Sequence, residues 1–190
     1  MKKITLLFLL IFGIASSQEI PQLKFSSELT PIVVKIDSIK YPKEIIYSKI
    51  KDWVQYYYHS PKDVLKSDVA NEMIRFDGYK ENGIKVNAMI SQVEDLRYTI
   101  QIDIKDGKYR LSLISMERYF KDTVRNQYSI SSRWIDVMSE VPLCFKKNGD
   151  LKSYCKYYPN AFEGLINDIN TSVYNFITNN TVEKSKNDNW

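Results

Sequence analysis

Residues 98–113 constrain what this chain can fold into more than any other stretch. Tyr98, Ile100, Ile102 and Ile104 alternate with Thr99, Gln101, Asp103 and Lys105, and beyond Asp106-Gly107 the apolar positions resume at Tyr109, Leu111 and Leu113. Period-two alternation marks a strand with one dry face and one wet face. Asp-Gly between two such runs is a strong signal for a two-residue hairpin turn. That turn pairs Ile104 with Tyr109, Ile102 with Leu111 and Ile100 with Leu113 on one face. On the other it sets Asp103 opposite Arg110, a favourable cross-strand charge pair. Asp106 is explained by the turn and Asp103 by its partner, without recourse to catalysis.

A sheet with one apolar face needs a cover, and two segments have the pattern to supply it. After Pro42, which suits a first helical turn, Ile46, Ile50, Trp53, Val54 and Tyr57 fall on one stripe at three and four spacing, and Pro61 ends the run. Later, Asn160 reads as a helix cap with Glu163 as its capping-box partner, and Phe162, Leu165, Ile166, Ile169, Val173, Phe176 and Ile177 form a second stripe. Further strand is expected at Ile32–Ile36. Ile74–Ile90 reads as a hairpin whose loop Glu81-Asn82-Gly83 pairs Ile74 with Ile90, Phe76 with Ala88 and Gly78 with Val86. These elements predict an α+β domain: a curved antiparallel β-sheet of about five to six strands with two amphipathic helices packed on one face.

Three stretches carry a family resemblance: Ile46-Tyr47-Ser48-Lys49-Ile50-Lys51-Asp52-Trp53, then Ser60-Pro61-Lys62-Asp63-Val64-Leu65, then Ile104-Lys105-Asp106-Gly107-Lys108-Tyr109-Arg110. Over roughly residues 35–118 the chain resembles a family of exported bacterial domains of unknown function with a TATA-binding-protein-like fold. Its most specific piece is the Lys-Asp-Gly-Lys-Tyr-Arg turn. Asn71-Glu72 stands where that family often carries a glycine before the third strand. The resemblance implies a curved antiparallel sheet with helices on one face and implies no activity. The name of the fold is no argument for DNA binding, because function belongs to sites.

The ends of the chain read differently from its middle. Residues 1–17 have a basic start at Lys2 and Lys3, an apolar run from Ile4 to Ala15 and small residues at Ala15-Ser16-Ser17. That is the layout of a cleavable secretory signal peptide, with Gln18 as the new N-terminus. No cysteine stands directly after the apolar run, the only two being Cys144 and Cys155, so no lipid-bearing cysteine and no stable membrane anchor after cleavage are expected. Residues 18–30 read as a linker, 31–180 as a single α+β domain and 181–190 as a flexible tail. The expected location is periplasmic or secreted. Losing Lys2 and Lys3 lowers the 27 basic residues to 25 against 23 acidic ones, so the formal net charge falls from +4 to +2. Basicity then no longer argues for nucleic acid, and none is expected as a partner.

Outside the cytoplasm a cysteine pair reads as a disulfide before it reads as a metal or redox site. A two-residue turn on Gly149-Asp150 places Cys144 opposite Cys155, within bonding reach. A turn on Asn148-Gly149 places Cys144 opposite Ser153 instead and leaves two separate buried thiols.

Catalytic patterns are sparse. A single histidine, His59, excludes sites built on two. It follows Tyr56-Tyr57-Tyr58 at the end of the first helix, where a histidine suits the C-terminal carbonyls. Gly78 and Gly83 have the spacing of a phosphate loop, but Ile84 stands where lysine is required. No cofactor, metal site or catalytic residue is expected. Glu94-Asp95 is the kind of acidic pair an exported carboxylate-based hydrolase would use. The remaining feature is an aromatic and basic stretch without sustained period, holding Arg118, Tyr119, Tyr128, Arg133 and Trp134. Tyr, Trp and Arg anchor interfaces and stack on planar or sugar-like surfaces. These residues are the expected ligand-binding site of a non-catalytic envelope domain whose partner is a protein, a peptide or a glycan. A structural role in an envelope assembly, through a sheet edge, is the third reading.

Overall fold

The Asp106-Gly107 turn forms as the alternation requires, with Gly107 at φ +72°. It joins β4 (Ser91–Lys105) to β5 (Lys108–Phe120), and Ile104 faces Tyr109, Ile102 faces Leu111 and Ile100 faces Leu113. The turn also starts a helix. The Asp106 carboxylate accepts a hydrogen bond from the Lys43 backbone N–H at 2.9 Å. This supplies a side-chain acceptor to the N-terminus of α1 (Lys43–Tyr57), whose own cap, Pro42, makes no side-chain cap bond.

This architecture comes from a computed structural model that describes residues 20–24, 33–87, 91–120 and 132–179, side chains at 86–87, 91–92 and 179 excepted. The expected leader at 1–17 and tail at 181–190 lie outside the described residues. The other elements are β1 (Val33–Ile36), a short α2 (Pro61–Val64), β2 (Leu65–Val69), β3 (Met73–Asn87), β6 (Arg133–Asp136), α3 (Val137–Glu140) and α4 (Tyr158–Asn179). They form one antiparallel sheet in the order β1-β5-β4-β3-β2, with β6 also on β5 beyond β1. The fold is the α+β architecture expected from the pattern.

One face of the sheet is dry. Ile74, Phe76, Ile100, Ile102, Leu111 and Leu113 are buried there with Ile46, Ile50 and Trp53 of α1 and Phe162, Ile166, Ile169 and Val173 of α4. Trp53 donates its indole N–H to Ser172 Oγ at 2.9 Å, which ties α1 to α4 across the core. A second tie comes from the start of the chain. Asn167 of α4 accepts from the Leu23 N–H at 2.7 Å and donates to the Leu23 carbonyl at 3.1 Å. Fully buried Asn170 donates to the Pro21 carbonyl at 3.3 Å and accepts from the Tyr109 hydroxyl at 2.9 Å. The stretch read as a linker therefore includes a docked segment at 20–24.

Two local expectations are corrected. Residues 81–83 are not a turn. β3 runs straight through them, and the register steps from Lys80 opposite Leu96 to Ile84 opposite Glu94, so a bulge replaces the loop. Ile74 consequently faces Ile102, not Ile90. Asn82, at φ +50°, takes the left-handed position, and its N–H donates to Asp95 at 2.9 Å. An Asn-Gly pair supplies the same backbone freedom to a bulge as to a turn. The second correction is the start of α4, which begins at Tyr158 with Pro159 in its first turn, so Asn160 lies inside the helix and is not its cap.

Asn71 explains a departure from the resembled family. It sits at φ +63° in the tight connection between β2 and β3, a conformation that glycine adopts freely and asparagine tolerates. Gly78 is required for a different reason. A Cβ there would lie 2.2 Å from the ring of Tyr98, which is itself buried. Gly78→Ala is therefore expected to lower stability by about 1–3 kcal/mol in urea denaturation, whereas Asn71→Gly should leave it unchanged or raise it. Equal effects from the two substitutions would contradict this assignment.

Candidate functional site

Consecutive residues of a strand point to opposite faces, and β5 uses this to separate two kinds of chemistry. Arg118 points to the helix-covered side, opposite Leu96. It donates to Glu94 at 2.6 Å and, through two nitrogens at 3.0 Å each, to both carboxylate oxygens of Glu140 in α3. Tyr158, at the start of α4, donates its hydroxyl to Glu140 at 2.8 Å. Burial pulls the Arg118 pKa down, but the bonds to Glu140 and Glu94 outweigh it and leave the net value raised. Burial likewise raises the Glu140 carboxyl, and the bonds from Arg118 and Tyr158 outweigh it, leaving its pKa lowered from 4.5. Arg118 is thus a buried clamp joining β4, β5, α3 and α4.

Asp95 points away from Glu94. It is held by the Asn82 N–H of the bulge and accepts from the Tyr79 hydroxyl. The two acids of the Glu94-Asp95 pair therefore serve separate structural contacts on opposite sides of β4.

The face of the sheet opposite α1 and α4, which no described helix covers, carries cross-strand polar pairs. Arg110 donates to Asp103, Arg75 donates to Gln101, and Thr99 donates to Asp77 at 2.7 Å. At one end of this face lies an aromatic group. Tyr119 faces Trp134 of β6 in register, with ring centroids 5.1 Å apart. The Arg97 guanidinium sits 4.3 Å from the centre of the Trp134 ring, and Tyr79 packs edge-on against the same ring at 6.5 Å. Arg97 is fixed by a two-pronged pair with Glu117 at 2.6 and 3.0 Å. That bond draws the Glu117 carboxyl down and the Arg97 pKa up. Partial desolvation, with the bond to Asp95, pushes the Tyr79 hydroxyl up to about 12 although the residue is 57% exposed. The group thus holds its charges in a neutral pair and presents aromatic surface to solvent.

The residues expected to bind ligand fall into different places. Tyr119 and Trp134 come together. Arg118 is buried in the clamp. Arg133 is exposed at the start of β6, opposite Phe120. Tyr128 lies outside the described residues. Tyr79 and Arg97 were missed, because Tyr79 was read beside a turn at 81–83. Arg97 was missed because an unbroken register from Asp106-Gly107 sets it opposite Met116. The actual register shifts between Thr99 and Ile100, and Arg97 faces Glu117.

Cys144 and Cys155 are bonded, with Cα atoms 5.5 Å apart, and both are buried. The bond does not span paired strand residues as expected. Lys152 N–H donates to the Cys144 carbonyl at 2.8 Å, and Phe145 pairs with Leu151, so the turn is Lys147-Asn148-Gly149 with Gly149 at φ +85°. The cysteines end two 3₁₀ turns, Val141–Cys144 and Ser153–Cys155. Such a bond belongs to an oxidising, non-cytoplasmic compartment. Among the described residues, no helix is long and apolar enough to cross a membrane and no cluster of ligating side chains could hold a metal ion.

Comparison with known proteins agrees with this architecture. Residues 33–118 match the family described as "Domain of unknown function (DUF4468) with TBP-like fold". The crystal structure of a TBP-like protein from Parabacteroides distasonis is similar, with a TM-score of 0.54 at 13% identity, covering 78% of this chain and 92% of that one. A DUF4468 family protein from Bacteroides ovatus gives a TM-score of 0.60 at 10% identity, covering 82% and 89%. No curated protein matches.

Removing Arg118 should be costly because it leaves Glu94 buried without its cation. Arg118→Met is expected to destabilise by about 3–5 kcal/mol in denaturant titration. The lowered Glu140 pKa has a definite sign. Its stabilisation is complete above the unfolded value, near 4.5, and is lost as pH falls through the lower folded value. Stability measured against pH should therefore fall off below about 4.5, and Glu140→Gln should make that acid limb shallower.

Proposed function

We propose, from the premise that this chain belongs over residues 33–118 to the DUF4468 family with its TBP-like fold, that it is a non-catalytic binding domain of the cell envelope or its exterior. Its partner, an envelope protein, peptide or glycan, is gripped on the helix-free face at Tyr79, Arg97, Tyr119 and Trp134. The observation that carries this reading is Trp134, in contact with both the Arg97 guanidinium and the Tyr119 ring on the face that no described helix covers. Single exposed apolar side chains are ordinary on any surface, but clustered aromatics with an arginine are the composition of interface anchors.

The chemistry of the ligand follows from the charges. Glu117 engages Arg97 with both carboxylate oxygens, so this ion pair is neutral and the cluster offers flat aromatic surface and hydrogen-bonding edges. That suits a neutral sugar face or a planar side chain. The hydrolase reading has little to support it. Glu94 and Glu140 share one guanidinium, and Asp95 holds the bulge.

The test is capture of partners from the envelope fraction by the tagged chain. Trp134→Ala with Tyr119→Ala should abolish capture, with a loss for each anchor of about 2 kcal/mol or roughly thirtyfold in affinity, while the circular dichroism spectrum stays that of the parent. Undiminished capture by the folded double variant would mean that the partner docks elsewhere.

A further inference from the structure

A second surface, made of other residues than the aromatic cluster, lies on the disulfide-closed lobe of residues 141–157. The lobe holds much of the chain's charge. Lys146, Lys147, Lys152 and Lys156 stand against Asp150 alone, in a chain whose whole formal charge is +4. Asp150 accepts from Asn148 at 2.8 Å. Lys146 and Lys147 are exposed where the hairpin turns.

Beside these lysines the lobe exposes apolar surface. Leu143 is 62% exposed and Tyr154 is 49% exposed. They are held together: the Tyr154 hydroxyl and the Lys152 ammonium both donate to the Leu143 carbonyl, at 2.9 and 2.8 Å. Lys152 also lies over the Tyr154 ring, 5.9 Å from its centre. The backbone beneath is fixed by the Cys144–Cys155 bond. The lobe's own packing uses Val141 and the cystine, so Leu143 faces water without contributing to it.

We propose that this lobe docks reversibly on the surface of a lipid bilayer rich in anionic headgroups, with Leu143 and Tyr154 entering the headgroup–acyl boundary and the lysines meeting the phosphates. Charge complementarity alone would equally suit a soluble polyanion. The paired leucine and tyrosine favour the bilayer, because only there does an apolar phase lie directly under a layer of anions. Tyrosine suits that boundary, having one apolar end and one wet end.

The test is co-sedimentation with vesicles of phosphatidylcholine alone and of phosphatidylcholine with one third phosphatidylglycerol. The chain should begin at Gln18, since the apolar run before it would itself bind any vesicle. The fold is expected to be retained because, among the described residues, every buried core side chain lies between Leu23 and Ile177. Binding is expected to the anionic vesicles and not to the neutral ones. Lys146→Gln with Lys147→Gln should weaken it about fivefold per lysine, and Leu143→Ser about tenfold. Trp134→Ala should leave it unchanged, which separates this surface from the aromatic one. The proposal fails if anionic vesicles are not bound, or if they are bound equally by all variants. It also fails if the lysine substitutions matter but Leu143→Ser does not, since that pattern identifies a soluble polyanion as the ligand.

Discussion

The β4–β5 ladder sets the geometry on which the rest of the molecule depends. Its apolar positions commit one face of the sheet to α1 and α4, and strand alternation then decides the direction of every other side chain on those strands. A slip of one residue would exchange the faces. The shift between Thr99 and Ile100 is therefore as consequential as the turn itself. It leaves the ladder near Asp106-Gly107 untouched. Farther along it moves Arg97 from Met116 to Glu117, which builds the charged pair that holds the guanidinium over Trp134. One extra residue in β5 thus separates a plain two-faced hairpin from one that carries a surface cluster.

The same alternation divides Arg118 from Tyr119. These neighbours in sequence look equally suited to ligand recognition. In the fold one is buried among two glutamates under the helices, and the other stands on the open face. The buried clamp fastens α3 and the start of α4 to the sheet, and β6 leads directly into α3. Trp134 is held within two residues of a helix cap, since the Asp136 side chain accepts from the Met138 N–H at 3.0 Å. Rigidity on the covered side is what gives the aromatic cluster a fixed form.

What was legible in the sequence was local. The hairpin, both helical stripes and the α+β class follow from periodicity and turn residues a few positions apart. The partners of Arg118 do not, because Glu94, Glu140 and Tyr158 come from three other elements and carry no common spacing. Asn82-Gly83 misled because a bulge and a turn ask the same backbone freedom of the same residues; only the unbroken pairing of β3 with β4 separates them. The disulfide shows the reverse case. Two cysteines in an oxidising setting suffice to predict the bond, but the tight turn that brings them together uses a register that neither two-residue alternative contained.

The two asparagines of α4 that hold Pro21 and Leu23 have a consequence for how the chain is made. They join the earliest described segment to α4, with Leu23 and Asn167 separated by 144 positions in sequence. A ribosome delivers that helix only after β1 to β6, so the segment at 20–24 waits for α4 before it finds its place. β2 to β5 can pair in order as they appear, but β1 waits for β5 and the segment at 20–24 waits for α4. Until Asn167 and Asn170 arrive, the hydrogen bonds that hold Pro21 and Leu23 cannot form.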